Sequence, residues 1–570
     1  MNLSSDWIFA LLLSSVTAVP LAIALFCLTR RAGRNCTALL PFAAIPAFAA
    51  AFLTPVDLSV SVPWFFMGGR MGLDATGRVF LLLTAFVWLL AAFKATGRNE
   101  KDAHYDQYFA AFFCLAMTGN LGLILALEVL GFYLFFALMS LSVYVLIIND
   151  KSEMSRSAGR IYLVFVIIGE MAMFAALALL AAGSNSLDIS AMTGHKPHPA
   201  AVILLFLAFG IKTGVFPLHG WMPLSYKQAP IPAATALAGG MVNAGLLGWL
   251  RFLPLGGHAL PDAGLFFIAA GVFSAFYGVI CGVGQQEKGA VLAYSSMSQI
   301  GLMTTVLGLG LMSPAAGLAA TGVLVVFAVH HALAKTTLFL FLDGGKVLPG
   351  PAWLTLMGVI LPSLALAGFP LTSGAVAKTV LHDFFHTVGP LWEKRAAIFL
   401  PLSSAGTAIL MLHFTLLFAV TRKRKPGLSP GARYAPVSAL FASLLCLYLW
   451  PAAQEAAGKT FAAAKIWSAF WPASLGIIAY TAILGFTPEN RFFVLPAGDF
   501  YHPLVSAAGM GTWKRPEREK RERKSGKPWR DTVYSKLRKS EKVLGRWSVA
   551  GLLFLVLCFV TFILFGIELS

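Results

Sequence analysis

About sixteen apolar runs, most of them near 20 residues long, divide this 570-residue chain, and that pattern admits few folds. A helix of that length rises roughly 30 Å, the thickness of the hydrocarbon layer of a bilayer. In lipid every backbone donor and acceptor must be paired within the protein, which leaves helices or closed barrels. Barrel strands would read as short alternating segments, and these runs do not alternate. Hydrophobic residues make up 58% of the chain and charged residues 12%, with a mean hydropathy of +0.77, outside the range of soluble globular domains. The expected fold is all-α and polytopic, with about 16 transmembrane helices.

Charge follows the same topology. Of the 43 Lys and Arg, 32 fall on one side of the alternating spans, eight on the other, and three inside apolar segments. Short cytoplasmic loops carry the basic excess, so both termini are predicted on the non-cytoplasmic side of a cell inner membrane. The net charge of +18 is then a property of orientation, and nucleic acid is not an expected partner, because no soluble basic face is available to hold it. The basic stretch 513–546 reads as a juxtamembrane segment drawn to anionic lipid, with docking to a neighbouring subunit as the alternative. Asp6 precedes the first apolar run and the positive charges follow it, which suits a first spanning helix better than a secretory signal.

The three interior lysines are Lys212, Lys335 and Lys378. Each costs about 2.5–3.5 kcal/mol at the bilayer centre even on a lenient scale, so their default reading is an ion pathway with hydrated cavities or partners. Two segments look like broken helices. They are GIKTGVFPLHGWMP (Gly210 to Pro223) and LALAGFPLTSGAVAK (Leu364 to Lys378), in which Pro217 and Pro370 each remove a backbone donor. The lysine precedes the proline in one and follows it in the other, the placement that two inverted repeats would produce. Six scattered cysteines form no CxxC pair, no nucleotide-binding loop is present, and the histidine spacing suits no metal, so no cofactor and no metal site are expected.

With those segments in view, the chain resembles the antiporter-like membrane subunits shared by respiratory complex I, membrane-bound hydrogenases and Mrp-type Na+/H+ antiporters. The resemblance runs over about residues 105 to 420. It is carried by GIKTGVFPLHGWMP followed by Ala229 and Pro230, MVNAGLLGWLRF (Met241 to Phe252), LAYSSMSQIG (Leu292 to Gly301), HALAK (His331 to Lys335) and ALAGFPLTSGAVAK, in the family's order. It implies two inverted five-helix repeats and a midplane chain of charged residues and water. The expected division is 1–105 N-terminal helices, 106–250 first repeat, 262–420 second repeat, 421–512 further helices, 513–546 basic segment and 547–570 final helix. By resemblance Lys212 is the lysine before the first break, His331 and Lys335 the central pair, and Lys378 the lysine after the second break. That last lysine is most like the distal, largest complex I subunit type.

Two positions depart from the family. Its fifth-helix glutamate aligns with Ala137, and Asn243 stands where a lysine or histidine is usual. Glu128, nine residues before Ala137, faces the opposite way and reads as a helix N-terminal acid. Glu170, near the middle of the sixth run, is expected to replace the missing acid as the partner of Lys212. His331 shares a helix face with Lys335 and is expected to relay protons. His330 points about 100° away, His219 is placed at a cavity mouth, Gln299 on a water wire, and His413 in plain packing.

The function that follows is proton, or cation/proton, translocation by one membrane subunit of a hetero-oligomeric complex, driven by a soluble energy-coupling partner and without bond chemistry in this chain. The alternatives left open are an Mrp-type Na+/H+ antiporter subunit, the membrane subunit of an inorganic-carbon uptake system, and a non-pumping structural subunit.

Overall fold

The computed structural model describes residues 3–29, 36–56, 58–62, 69–96, 107–342, 352–420, 430–486 and 495. The chain divides into two compact units, Met1–Ala497 and Gly498–Ser570. All described residues belong to the first unit, so the basic segment 513–546 and the expected last helix lie outside them.

From the N-terminus come α1 (Leu3–Leu28), α2 (Cys36–Ala43), α3 (Ile45–Leu53), an antiparallel hairpin of β1 (Ser59–Val62) and β2 (Gly69–Gly72), α4 (Ala75–Thr96), α5 (Gln107–Leu125) and α6 (Val129–Ile147). Next are α7 (Glu153–Ser184), α8 (Ile189–Thr193), α9 (Pro199–Thr213), α10 (Trp221–Gln228) and α11 (Ile231–Ala236), which runs through a π-helical turn, Leu237–Met241, into α12 (Val242–Phe252). The remainder is α13 (Pro261–Val283), α14 (Lys288–Gly310), α15 (Pro314–Phe341), α16 (Ala352–Ala367), α17 (Ser373–Val388), α18 (Pro390–Val420), α19 (Pro430–Leu449), α20 (Gln454–Lys459) and α21 (Ala463–Phe486).

The fold is the expected all-α, multi-pass one. Among the described residues, eleven helical spans are long and apolar enough to cross a membrane, and α19 with α20, bent by 65°, would make a twelfth. Two of the sixteen runs are interrupted by several non-helical residues. Run 200–226 becomes α9 and α10, and run 352–387 becomes α16 and α17. At 15 and 16 residues, α9 and α16 rise only about 24 Å each, short of a full span.

Lipid gives helices no hydrophobic reason to associate, so close packing of small residues does the work. The contact of α13 with α14 illustrates it. Gly264, Gly271 and Gly278, one every seventh residue, lie against the α14 backbone, and a Cβ on Gly271 would stand 2.6 Å from Gly301 O and from Thr305 N. This contact helps bury α14 on every side from Ala290 to Gly310, which lets a helix rich in Ser and Thr sit at the centre of the bundle.

Charged residues fasten the helix ends. Arg251, in the last turn of α12, donates to Ile124 O at 2.7 Å and to Ala126 O, capping the end of α5, and pairs with Asp74 at 3.3 Å. Glu128 is the N-cap of α6, accepting from Leu130 N and Gly131 N at 2.7 Å each, as its position predicts. Arg70 of β2 holds Asp188 at 2.9 Å. These contacts fix the ends of α5, α6, α8 and α12.

Candidate functional site

Lys212 is the penultimate residue of α9 and only 4% exposed. The helix stops there because Gly214 adopts φ 73°, a left-handed conformation that glycine takes without steric cost. The Lys212 Nζ donates to Ser140 Oγ at 3.0 Å and lies 5.2 Å from the centre of the Phe136 ring. The carboxyl of Glu170, 9% exposed on α7, lies near the same hydroxyl, and its Oε2 has no protein partner. No ammonium–carboxylate contact within 4.0 Å joins Lys212 to Glu170 directly among the described residues. The hydroxyl accepts from the lysine and keeps its own proton for a neighbouring acceptor. Ser140 lies one turn beyond Ala137, on the same side of α6. Sequence reasoning overlooked it, although a serine one turn from a missing acid was the available signal.

Gly245 packs against the Lys212 side chain, and two residues earlier Asn243 is 1% exposed. Its Nδ2 donates to Gly239 O at 2.9 Å within the π-helical turn, while Oδ1 has no protein partner. Gly239 in turn touches Thr336 of α15, whose buried hydroxyl is also unpartnered. Here α15 presents its charged residues. Lys335, fully buried, donates to Leu292 O of α14 at 2.8 Å. Both ring nitrogens of His331, equally buried, lack a protein partner.

His330 turns elsewhere. Its Nδ1 lies 3.0 Å from Ser373 Oγ at the start of α17. Ser373 spends its one proton on Ser443 O, so His330 is the donor at Nδ1. Sequence spacing separates the two histidines by about 100° but does not reveal that His330 meets the second break.

That break repeats the first. α16 ends at Gly368 with φ 77°, and Pro370 lies in the interval before α17. Lys378 Nζ donates to Ala367 O at 2.7 Å, a carbonyl freed by the break, and to Ser404 Oγ at 2.6 Å. Ser404 belongs to a polar ledge on α18 that also carries Ser403 and Thr407. Thr407 Oγ1 accepts from Gln299 Nε2 at 3.1 Å, and the other amide atom of Gln299 and the Ser403 hydroxyl have no protein partner. This ledge, which joins α14 to Lys378, was not anticipated.

Two histidines stand apart. His219, expected at a cavity mouth, is 1% exposed and walled by Phe216, Tyr277 and Tyr294, their ring centres 5.5–5.9 Å away. His413 is fixed by Tyr480 Oη and Gln285 O, each at 2.8 Å. Among the described residues no group of three His, Cys, Asp or Glu is placed to hold a metal ion.

Residues 126–347 match the family described as NADH:quinone oxidoreductase/Mrp antiporter, transmembrane. One relative is the NAD(P)H-quinone oxidoreductase chain 4 2 of Thermosynechococcus vestitus, 29% identical over 294 residues, covering 49% of this chain and 53% of that protein. Another is the putative antiporter subunit mnhA2 of Staphylococcus saprophyticus, 26% identical over 401 residues, covering 64% of this chain and 49% of the relative. The chain thus spans about half the length of these curated relatives. Among solved structures, the Mrp complex of Dietzia sp. DQ12-45-1b contains a chain that superposes with a TM-score of 0.68 at 21% identity, over 98% of this chain and 63% of that one, a likeness of fold. By the match over residues 126–347, these relatives and the common fold, the chain is similar to the antiporter-like membrane subunits of complex I-type oxidoreductases and Mrp antiporters.

Proposed function

We propose that this chain is a proton-translocating, or cation/proton-translocating, membrane subunit of a multi-subunit complex. Protons move through a buried row comprising Glu170 and Lys212, the Asn243 region, His331 and Lys335, then Gln299, His330 and Lys378, in either direction. Water completes the row, and the energy arrives from an adjoining subunit, with a soluble coupling partner beyond it. The bias of basic residues supports both termini lying outside the cytoplasm.

One observation carries the reading. Between the lysines, buried polar atoms without protein partners follow one another: Asn243 Oδ1, Thr336 Oγ1, both nitrogens of His331 and Gln299 Oε1. Each would cost about 1–3 kcal/mol if left dry, so a run of them marks a place built for ordered water. A purely structural subunit has no use for that cost.

Sodium/proton exchange is the second reading, favoured by likeness to the relative named as an antiporter subunit and to the Mrp complex fold. The test is proton flux in proteoliposomes that contain the assembled complex. Lys335→Met stops the flux if the row conducts, and unchanged flux in an assembled complex overturns the proposal. Dependence of that flux on Na+ would select exchange.

A further inference from the structure

Beyond Lys378, α17 carries titratable groups that the row above does not use. His382 and His386 follow at i+4 and i+8 on the same helix face, about 6 and 12 Å further along the axis. Their rings meet edge to face, with centroids 5.0 Å apart. His386 Nδ1 is 3.1 Å from Glu393 Oε1 on the first turn of α18, and His382 Nδ1 is 3.7 Å from Asp383 Oδ1. Asp383 is held by Lys459 of α20 at 2.9 Å and by Lys465 of α21 at 3.6 Å, and Lys459 also meets Glu455 at 2.9 Å. Every element around the pair thus adds charge: Lys378 and Asp383 from α17, Glu393 from α18, Glu455 and Lys459 from α20, and Lys465 from α21.

Burial changes steadily along this face. Lys378 is anchored in the interior by Ala367 and Ser404, whereas the side chains of His382 and His386 are 47% and 50% exposed, and α17 ends two residues later. An apolar lipid-facing surface has no reason to gather seven charged or titratable groups, so this end of the helix faces water. Histidine is the side chain whose proton affinity suits exchange with neutral water, and rings this close are spanned by direct contact or one water molecule.

We propose that His382 and His386 form a proton relay between Lys378 and the aqueous phase at the C-terminal end of α17. The relay rests on the translocation reading above. A proton taken from water by His386 passes to His382 and then to the neutral amine of Lys378, each ring returning to its neutral form, and release runs the same steps backward. Asp383 and Glu393 are positioning residues that orient the two rings.

The experiment compares proton flux of His382→Gln/His386→Gln with wild type in proteoliposomes holding the whole complex, at pH 6 to 8 on the face where α17 ends. Free protons fall a hundredfold over that range, so a relay that hands protons on through side chains matters most at the alkaline end. Flux in the double variant is expected to fall less than about twofold at pH 6 and about tenfold at pH 8, with dissolved imidazole restoring most of the loss. Both positions are half exposed, so neither substitution hollows the core, and a native gel reports assembly. Lys335→Met is run beside it. Equal flux in double variant and wild type, where Lys335→Met stops transport, overturns the relay alone. So does a loss equal at all pH values and deaf to imidazole. Unchanged flux in Lys335→Met overturns the translocation reading and the relay with it.

Discussion

Replacing Ser140 with alanine removes the hydroxyl to which Lys212 Nζ donates and which lies near Glu170. The substitution is well isolated. Tyr162 Oη donates to the backbone carbonyl of Ser140 at 2.8 Å, a bond that alanine keeps, so the packing of α6 on α7 stays as it is. What disappears is a hydrogen bond to a charged group, worth about 1.5–3 kcal/mol. If that bond forms part of the rate-limiting transfer, the loss is about tenfold to 150-fold in proton flux, since each 1.36 kcal/mol is a factor of ten. The assay is dye-reported proton uptake in proteoliposomes with the assembled complex, with the thermal midpoint measured on the same preparation. Ser140→Ala is expected to lower flux within that range while the midpoint moves by no more than about 4 °C. Ser140→Thr, which keeps a hydroxyl, should retain most of the activity. Flux within twofold of wild type in Ser140→Ala would refute this role of the hydroxyl, because it would mean the lysine and the carboxylate communicate without it.

Three further outcomes follow from the geometry. Glu170→Gln should stop transport, and adding Ala137→Glu to it should restore a measurable part, because the second change returns an acid to the α6 face one turn from Ser140; no recovery in the double variant would deny that Glu170 stands in for the absent acid. Gly368→Ala combines a left-handed backbone, about 1–2 kcal/mol for a residue with a Cβ, with a methyl group 2.5 Å from Lys378 Cδ and 2.8 Å from its Nζ, so thermal stability and flux should both fall, whereas Gly322→Ala, with nothing within 4 Å, should leave the midpoint within about 2 °C. Gly271→Ala should lower the midpoint more than any of these pathway substitutions, since the new Cβ meets α14 backbone at 2.6 Å and the two helices must separate; an unchanged midpoint would refute the close-packed seam.

How far the sequence could be read depended on whether the signal was local. The all-α class followed from the length of the apolar runs, and Glu128 as an N-cap followed from its place just before α6. Breaks beside Pro217 and Pro370 could be anticipated because proline acts on its own turn. Ser140 had only its spacing from Ala137 to point to it, because its importance arises where α6, α7 and α9 converge, and one hydroxyl in an apolar run looks like many others. The same holds for Ser403, Ser404 and Thr407, whose value lies in facing Gln299 and Lys378 on different helices. The count of spans suffered from a related problem: an apolar run reports burial in lipid, not continuity of helix, so α9 and α10 read as one.

The two breaks share a backbone device and differ in what it holds. Each begins with a glycine at positive φ, Gly214 at 73° and Gly368 at 77°, which ends a helix inside the bundle. At the first, the Ile211 carbonyl accepts both the Gly214 amide at 3.3 Å and Trp221 Nε1 at 2.7 Å, and Lys212 finds its partner on α6 instead. At the second, the lysine itself takes the freed carbonyl of Ala367. Any shift of the second break therefore moves the binding site of Lys378 directly. A shift of the first break moves Lys212 relative to Ser140 and Glu170, which belong to α6 and α7. A conformational signal entering at the first break would act by changing the length of the Lys212–Ser140 bond. The same signal at the second would act by changing the coordination of the Lys378 amine, so a common motion would reach the two ends of the proposed row through different bonds.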